Sequence, residues 1–372
     1  MTKIFITIPW FLPAFRAGGP IQSVANLVKE YQENVEFLIF CGDVDLNGAE
    51  VKNIETNKWT AFNEHTRVWY AGPEKISDTL VKLVEKEKPD FLFIIGVFSW
   101  HYNIVPILFC KGTKKILSTR GMLHGGALSQ KKWKKKIYLQ LFKLFEYHYK
   151  IAFHATDEEE AGFIRSYFGT VPKVFVAGNF PNKISFLPVS PKEKGCLKLV
   201  TIALISPMKN ILLILESLRH CRGKIDYYIY GPVKDEEYWD KCKEAIKSLP
   251  ENIKVVYEKE IEPADIKLAL AKAHVYVLPS KSENFGHAIF EALSAGRPVI
   301  TSNNTPWKNL KSSKAGINVA FESAEISKAV DFFAELDVDG MEDWSKAAFE
   351  YSEEAIDVER LKNSYRQMFG KQ

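Results

Sequence analysis

Residues 279–300 read PSKSENFGHAIFEALSAGRPVI, and this stretch decides how the surrounding chain is interpreted. A buried-strand pattern at Val275–Leu278 precedes it, a helical pattern fills Gly286–Ala295, and a second strand pattern follows at Val299–Ser302. Strand, loop, helix and strand in this order are typical of one βαβ unit of a parallel sheet. The sequence therefore predicts an α/β fold in which the loop before the helix lies at the carboxyl edge of the sheet.

The same alternation of strand and helix patterns runs through both halves of the chain. Short apolar runs are separated mostly by amphipathic helical patterns, which indicates parallel sheets with helical crossovers. The predicted strands are Ile4–Ile8, Val35–Cys41, Phe91–Gly96, Lys115–Ser118, Ile151–Ala155, Lys173–Ala177, Leu197–Leu204, Tyr227–Tyr230, Lys254–Glu258, Val275–Leu278 and Val299–Ser302. A connection from Asn182 to Gly195 has neither period and predicts a linker, whereas Ser323–Phe369 has only helical patterns.

Two Rossmann-like, doubly wound domains account for this pattern and for a length of 372 residues, since single domains usually run to ~100–200 residues. We expect the first domain at residues 1–185 and the second at 186–354, with residues from about 355 to 372 crossing back onto the first. Ligands of open parallel sheets bind at the carboxyl ends of strands. Two such domains facing each other therefore predict a cleft that holds the ligand.

The composition excludes several classes of protein. A total of 50 basic against 46 acidic side chains gives a net charge of +4, which argues against a dedicated nucleic-acid binder. The 5 cysteines are scattered without a Cys-x-x-Cys pair, as expected of reduced thiols in a cytoplasm. The apolar run Ile4–Pro9 is too short for a signal peptide, and no stretch approaches the ~20 apolar residues of a membrane span. We expect a cytoplasmic protein, and we interpret Asp43-Val44-Asp45 as a surface loop, not as a metal site.

Two carboxylates, Glu283 and Glu291, flank the start of the helix predicted at Gly286–Ala295. Both can face the strand-end edge, where carboxylates accept hydrogen bonds from vicinal sugar or ribose hydroxyls. Between them the amides of Asn284–His287 open the helix, and the positive end of its dipole suits a diphosphate. Two glutamates at this spacing are ordinarily a capping residue and a solvated helix residue. The whole motif, however, favours a sugar-nucleotide site.

The segment resembles the Glu-x7-Glu signature of family 4 glycosyltransferases, and the resemblance extends over the whole second domain. It implies a GT-B fold and a retaining, metal-independent enzyme that uses a UDP- or GDP-sugar and no further cofactor. It also implies that Glu283 contacts the transferred sugar and Glu291 the ribose. The donor-binding residues nearest the sugar and phosphates would be Asn284, Phe285, Gly286 and His287.

Lys209 follows the first strand predicted in the second domain, where the family places a lysine that faces the departing diphosphate. The family also has an arginine here, but Leu204 occupies its position. A metal-free enzyme must stabilise the leaving group with fixed cations and amide dipoles, so a substitute cation is expected. The sequence leaves three candidates open, which are Arg16, Arg120 and Arg297, and each could equally be a structural or surface residue.

Glycines follow two other strands at the expected ligand edge. Gly18 and Gly19 lie between the first strand and a helix that begins near Pro20, and they resemble the family's glycine loop near the donor phosphates. They lack the Gly-x-Gly-x-x-Gly spacing of a dinucleotide site, which weakens an oxidoreductase interpretation. Gly231, in Tyr-Gly-Pro, and Trp307, in Thr-Pro-Trp, resemble a subgroup of the family at donor-facing positions, although Trp307 is as readily explained by packing.

Arg120 and His124 lie in a glycine-rich loop after the strand predicted at Lys115–Ser118, and we assign them to the acceptor side. Either could bind an acceptor phosphate or hydroxyl, but a histidine in a loop is more often an ordinary polar residue. The stretch from Lys131 to Tyr147 interleaves lysines with aromatic residues at roughly helical spacing. It is either an anionic-membrane contact or a helix with a solvated basic end and a buried apolar face.

The function predicted is glycosyl transfer of a hexosyl or N-acetylhexosaminyl group from a nucleotide-sugar to a saccharide or lipid-linked saccharide. The resemblance suggests bacterial surface polysaccharide biosynthesis, such as lipopolysaccharide or capsule, with the enzyme cytoplasmic or peripheral on the inner face of the plasma membrane. Two alternatives stay open. One is a GT-B sugar-nucleotide epimerase, and the other is a non-catalytic sugar-nucleotide-binding subunit in which Leu204 has removed turnover.

Overall fold

The computed structural model describes residues 1–123, 132–170 and 172–370. The chain forms two compact units. Unit 1 comprises Met1–Phe180 together with Val358–Gln372, and unit 2 comprises Pro181–Asp357. Within the described ranges, no helix combines the length and the apolar character that crossing a membrane would require.

Unit 1 contains an eight-stranded sheet in the order β3-β4-β2-β1-β5-β6-β7-β8. Its strands are β1 (Thr2–Thr7), β2 (Val35–Gly42), β3 (Trp59–Asn63), β4 (Thr66–Ala71), β5 (Phe91–Ile95), β6 (Lys114–Ser118), β7 (Ala152–Ala155) and β8 (Val174–Val176). Every pair is parallel except β3 and β4, which form an antiparallel pair at the edge. The six predicted strands are confirmed, whereas β3 and β4 were not predicted because their polar and aromatic residues lack a clear apolar run.

Unit 2 contains a six-stranded, entirely parallel sheet in the order β11-β10-β9-β12-β13-β14. Its strands are β9 (Cys196–Ile202), β10 (Lys224–Tyr230), β11 (Ile253–Tyr257), β12 (Val275–Leu278), β13 (Val299–Ser302) and β14 (Gly316–Val319). The first five were predicted, and β14 was missed because it is a short edge strand that begins with glycine. Two parallel sheets with helical crossovers confirm the α/β prediction.

Helices cover both faces of each sheet, as parallel sheets require. The helices are α1 (Gly19–Glu30), α2 (Ile76–Glu87), α3 (Val105–Phe109), α4 (Lys132–Leu144), α5 (Tyr147–Lys150), α6 (Glu158–Phe168), α7 (Ile211–Leu218), α8 (Glu236–Lys247), α9 (Ile266–Lys272), α10 (His287–Ser294), α11 (Ser323–Glu335), α12 (Val338–Ala355) and α13 (Val358–Phe369). A π-helical turn at Trp100–Ile104 leads into α3, and a 3-10 turn at Pro263–Asp265 leads into α9.

The last helix, α13, belongs to the core of unit 1 although unit 2 separates it in sequence from the rest of that unit. Tyr365, Met368 and Phe369 on α13 are buried against one face of the sheet. The ring of Phe369 packs edge-on against Phe93 with 5.4 Å between centroids, and Tyr365 stacks on Phe180 at 5.2 Å. Aromatic rings of this size bury large apolar areas, so α13 is an integral layer of unit 1.

Candidate functional site

The order of the strands in unit 2 determines where a ligand can bind. From β9 the chain proceeds outward through β10 to β11, and it then returns to place β12 on the other side of β9. The chain therefore leaves the carboxyl ends of the neighbouring strands β9 and β12 in opposite directions. In open α/β sheets, ligands bind at such a switch point, outside the carboxyl ends of the strands. Lys209 follows β9 and Glu283 follows β12, so the switch point brings together two of the predicted site residues.

Lys209 and Glu283 form an ion pair at this edge. The Lys209 Nζ atom donates to the Glu283 Oε1 atom at 2.6 Å, and the hydroxyl of Ser280 donates to the same oxygen at 2.6 Å. The backbone amide of Lys281 also bonds to the carbonyl of Met208, which ties the two loops together. Both side chains are partly shielded, so this charge-assisted contact holds the ammonium group and the carboxylate in fixed positions.

Glu291 lies one and a half turns inside the first part of α10 and is almost completely buried. Its Oε1 atom accepts a hydrogen bond from the side-chain amide of Asn182 at 2.8 Å. Burial raises the pKa of Glu291 to about 7, and the Asn182 bond opposes this shift. A carboxyl group with this pKa changes its charge near neutral pH and needs a hydrogen-bond donor to keep that charge. The hydroxyls of a ribose are donors of this kind.

Tyr276, on β12, is close enough to Glu283 and Glu291 for their charges to affect its pKa, and it was not predicted from the sequence. It is fully buried, and its hydroxyl donates to the carbonyl of Ile202 at 3.0 Å. Burial raises the pKa of Tyr276 far above its ordinary value, and the charges of Glu283 and Glu291 raise it further. A single tyrosine in an otherwise aliphatic buried strand is the signal that could have identified it. The phenol therefore stays neutral beside the two acids.

Gly286 is the turn that leads into α10. Its φ of 76° is in the left-handed region, and a Cβ there would lie 3.2 Å from the Trp307 indole nitrogen. The Trp307 indole donates to the Phe285 carbonyl at 2.7 Å, and its ring packs against Phe285 and Phe290. Trp307 is buried, which supports a packing role over a donor-facing one. His287, the first residue of the helix, lies beside the Phe285 ring at 4.7 Å.

Gly231 follows β10 at the same edge of the sheet. Its φ is 139°, and a Cβ at this position would lie 1.9 Å from the carbonyl oxygen of Ala203. The close approach brings the ends of β9 and β10 together, where the amide of Ala203 bonds to the carbonyl of Tyr230. Glycine is therefore required here by the backbone alone.

Arg297 is not available as a substitute cation. The side chain is fully buried, and its guanidinium group donates to main-chain carbonyls of four residues, which are Leu270, Gly296, Leu187 and Pro188. Burial lowers the pKa of Arg297 to about 10, so the group stays charged at neutral pH. It joins the start of β13 to the segment that precedes β9. Of the two interpretations that the sequence left open for Arg297, the structural one is supported, whereas Lys209 is a cation that lies at the switch point of unit 2.

In unit 1, Gly18 and Gly19 lie between β1 and α1 as predicted. Gly18 has a φ of 72° and its carbonyl accepts from the amide of Ile21, so it begins the helix. A Cβ at Gly19 would meet no atom within 4 Å, so packing does not require glycine there. Asp45 accepts from the amides of Phe15 and Arg16 at 2.9 and 3.1 Å. The expectation of a surface loop is wrong for Asp45, because it is buried and anchors the segment before Gly18.

Arg120 follows β6 and lies in a polar cluster at the carboxyl edge of the unit 1 sheet. Its Nη1 atom donates to the Asn179 Oδ1 atom. The pKa of His154 is lowered to about 3, mainly because His154 is buried and further because the charge of Arg120 lies nearby. Its Nε atom is buried without a hydrogen-bond acceptor among the residues that the structure describes. His124, the other acceptor-side prediction, lies outside the described residues.

Glu160, on α6, organises the loop that carries Arg120 and was missed in the sequence. Its carboxylate accepts from the Thr119 hydroxyl at 2.6 Å, from the amide of Gly121, and from the amide and hydroxyl of Thr156 at 2.8 Å each. Burial alone would raise the pKa of Glu160, but these hydrogen bonds outweigh it and lower the pKa below its ordinary value. The Asp157-x-x-Glu160 spacing of a helix N-terminus is the signal that could have located this residue.

Metal ligands do not cluster at these positions. Within residues 1–123, 132–170 and 172–370, no group of three His, Cys, Asp or Glu side chains is arranged to hold a metal ion. At the switch point of unit 2, the described residues include the Lys209 ammonium group and the amides that begin α10, which carry partial positive charge.

The comparison with known families decides the nature of unit 2. Residues 183–351 match the family model described as glycosyl transferases group 1, and all of them lie within this unit. Unit 2 therefore matches a group 1 glycosyl transferase domain over most of its length. The matched residues include Lys209, Gly231, Glu283 and Glu291. Each of these follows the carboxyl end of a strand. No curated protein matches the chain in sequence.

Solved structures resemble the whole chain, including the part outside the group 1 glycosyl transferase domain. The sucrose-phosphate synthase of Thermosynechococcus elongatus has a TM-score of 0.72 and 16% identity, with 99% of each chain covered. HepE of Anabaena in complex with UDP and glucose has a TM-score of 0.71 and 15% identity, with 99% of each chain covered. WaaG, described as a glycosyltransferase involved in lipopolysaccharide biosynthesis, has a TM-score of 0.65 and 11% identity over 100% of both chains. The chain therefore has the GT-B fold, with two Rossmann-like units.

Proposed function

We propose that this protein is a retaining, metal-independent glycosyltransferase of family 4 that uses a nucleotide-sugar, with UDP-sugars the first candidates. The observation that carries the proposal is the ion pair of Lys209 and Glu283 beside the buried Glu291, at the switch point of the group 1 domain. A sugar nucleotide needs acceptors for its hydroxyls and a cation for its diphosphate, and this edge holds both. The UDP and glucose in the HepE structure support the choice of nucleotide.

In the proposed donor site, Glu283 accepts hydrogen bonds from the transferred sugar and Glu291 from the ribose. Asn284, Phe285, Gly286 and His287 surround the sugar and phosphates, because they lie between the two carboxylates on the loop that begins α10. The Gly231 backbone lines the same edge, and we assign Gly18 and Gly19 of unit 1 to the donor phosphates. The absence of a packing reason for glycine at position 19 supports this assignment.

The proposed reaction replaces one bond at the anomeric carbon with another. The bond to the diphosphate oxygen breaks, the acceptor hydroxyl attacks from the same face, and its proton passes to the departing phosphate. Lys209 and the amides at the start of α10 offset the negative charge that grows on the diphosphate. A donor fixed in a water-excluding site would gain most from such groups, because they need no reorganisation during the reaction.

We assign the acceptor to the polar edge of unit 1. The Arg120 guanidinium is held by Asn179 and has a buried donor atom, Nε, without an acceptor among the described residues. The positive charge of the guanidinium group suits a phosphate or hydroxyl of a saccharide or lipid-linked saccharide. His124 is retained as a second acceptor-side residue. The involvement of WaaG in lipopolysaccharide biosynthesis supports a role in surface polysaccharide assembly, which we assign to the cytoplasmic side of a membrane.

Thermal unfolding with nucleotides tests the donor site. A panel of UDP, GDP and their sugars, in the presence of a chelator, should include one ligand that raises the melting temperature, since a ligand at 100 times its Kd adds about 2.7 kcal/mol to the free energy of unfolding. The shift should be lost in Glu291→Gln and kept in Glu251→Gln, which changes an exposed glutamate of the same unit. No shift with any nucleotide would overturn the proposal.

Product analysis separates the proposed transferase from its two alternatives. With the stabilising donor and a mixture of saccharide acceptors, a transferase releases the nucleoside diphosphate and forms a glycoside that keeps the anomeric configuration of the donor. An epimerase would give a new sugar nucleotide, and a non-catalytic subunit would bind the donor without any product. An inverted glycoside would contradict the retaining part of the proposal alone.

A further inference from the structure

Helix α4 of unit 1 has one apolar face in the core and a second apolar face in solvent. Leu139 and Phe142 are buried, and Phe142 packs against Phe168 of α6 with 5.6 Å between ring centroids. The outer face carries a row of large apolar side chains. Trp133 and Leu144 are 77% and 72% exposed, and Ile137 and Leu141 between them are 53% and 46% exposed.

The exposed residues form a single stripe. Trp133, Ile137 and Leu141 are four positions apart, and Leu144 follows at a spacing of three, so they share one face of the helix within an arc of about 80°. Single exposed apolar residues are ordinary on soluble proteins, but a contiguous row of this kind marks an interaction surface. Phe145 and Tyr149, which follow the end of α4, are also exposed. We name Trp133, Ile137, Leu141 and Leu144 the α4 stripe.

Unpaired lysines border the α4 stripe. Positions 131–150 contain seven lysines and one acidic residue, Glu146. Lys134, Lys136 and Lys143 are exposed, and none of them forms an ion pair in the part of the chain that the structure describes. In α8 of unit 2, by contrast, the lysines pair with acids of their own helix, as Lys241 does with Glu237 at 2.8 Å. Within the described residues, the charges of Lys134, Lys136 and Lys143 are therefore not neutralised by an ion pair.

We propose that α4 docks unit 1 on an anionic phospholipid surface, with the α4 stripe in the interface and the flanking lysines against the lipid phosphates. An interfacial helix carries apolar residues, including tryptophan, on one face and lysines beside them, and its apolar face enters the headgroup boundary by about 5–10 Å. Each lysine near a negatively charged leaflet adds electrostatic attraction. A nucleic acid would satisfy the lysines but would leave the apolar stripe in water.

Docking on lipid goes beyond the donor site and does not depend on it. It deepens the proposed function in one respect, because a lipid-linked acceptor would then lie in the same surface that unit 1 contacts. Binding to vesicles requires no donor and no turnover. Failure of the membrane proposal would therefore leave the result of nucleotide binding unchanged, and the reverse also holds.

Vesicle sedimentation of the full-length protein tests the membrane proposal. The protein should sediment with phosphatidylcholine vesicles that contain one-third phosphatidylglycerol, should bind pure phosphatidylcholine vesicles at least tenfold more weakly, and should be released in part at about 0.5 M salt, where charges are screened beyond roughly 4 Å. The double substitution Trp133→Ser with Leu144→Ser should weaken binding at least tenfold, as should Lys134→Glu with Lys136→Glu.

Matched controls keep the test specific. Leu268→Ser, which removes an apolar side chain that is 60% exposed in unit 2, and Lys311→Glu, at an exposed lysine of the same unit, should bind anionic vesicles like the original protein. All variants change exposed positions, so their melting temperatures should stay the same. Absence of binding to anionic vesicles, or equal binding by the α4 variants, would overturn the proposal. A dimer that dissociates on substitution of the α4 stripe would also overturn it, and would assign this face to a second copy.

Discussion

The Nζ atom of Lys209 lies 2.6 Å from the Oε1 atom of Glu283, although the two residues follow different strands of the unit 2 sheet. Each residue therefore positions the other before any ligand arrives. A donor diphosphate would compete with Glu283 for the Lys209 ammonium group. A donor sugar would replace Lys209 as a partner of the Glu283 carboxylate. The pair links recognition of the sugar to recognition of the leaving group.

Lys209→Ala should lower kcat/KM for the donor by about 10²–10³, which is typical for the loss of one group that stabilises transition-state charge. Steady-state kinetics with the stabilising donor would measure this change. Lys311→Ala is the matched control, because it removes an exposed lysine elsewhere in the same unit, and its kcat/KM should not change. A Lys209→Ala enzyme with unaltered kcat/KM would remove Lys209 from the proposed mechanism.

Nucleotide affinity should depend on pH through Glu291. Its pKa is about 7 because it is buried, and ribose hydroxyls bind the ionised form. Below pH 7 the proton must leave before the nucleotide binds, so Kd should rise by up to about tenfold for each pH unit as the pH falls. Calorimetric titrations between mildly acidic and mildly basic pH would follow this change. In Glu291→Gln, Kd should be higher throughout and flat with pH; an equally flat profile in the original protein would contradict the assignment.

Glu291 should also make the free energy of unfolding depend on pH. A rise in pH favours nucleotide binding but should lower the stability of the folded protein. Since the pKa of Glu291 is raised in the folded protein, the folded state binds a proton that the unfolded chain has already lost. The free energy of unfolding, compared with that of Glu291→Gln, should fall by roughly 3 kcal/mol as the pH rises from the ordinary glutamate value to about 7. Urea unfolding of both proteins across this window measures the difference. A difference that is constant with pH would show that Glu291 does not titrate there.

Gly231→Ala should destabilise unit 2 strongly, because the new Cβ would lie 1.9 Å from the Ala203 carbonyl oxygen at a φ of 139°. We expect a loss of about 2 kcal/mol or more in the free energy of unfolding. Gly162→Ala is the opposite control: this glycine is exposed on α6 and a Cβ there would meet nothing within 4 Å. Helix propensity predicts a gain of about 0.5–1 kcal/mol for it. Similar melting temperatures for the two variants would argue against the constraint at Gly231.

Arg297→Met should also destabilise the protein, by about 3 kcal/mol or more, because several buried carbonyls would lose their donor. Its Kd for the nucleotide, measured well below the melting temperature, should match that of the original protein. Arg219→Met, at an exposed arginine on the surface of unit 2, should change neither quantity. Weakened nucleotide binding with an unchanged melting temperature would restore Arg297 as a ligand-facing cation.

The sequence predicts the sheets well because buried parallel strands are continuous apolar runs, as at Val275–Leu278 and Val299–Ser302, whose predicted bounds match the structure. It also places Lys209 and Glu283 at strand ends, but their direct contact depends on which strands are neighbours, and periodicity carries no information on this. The structural role of Arg297 is a feature that the sequence does not predict. Its four carbonyl partners come from three stretches of chain, which are Leu187 with Pro188, Leu270, and the adjacent Gly296, and only the folded backbone brings them to one point.

The position of α13 has a consequence for how the protein is made. Unit 2 is a continuous stretch of chain, Pro181–Asp357, so a ribosome releases all of it before the residues of α13 emerge. The sheet of unit 1 is synthesised first, yet it lacks Tyr365, Met368 and Phe369 until the whole of unit 2 has been made. Domains ordinarily fold from the N-terminus as they emerge. Here the unit made second can finish folding first, and the apolar face of the earlier unit stays uncovered until its last helix packs against it.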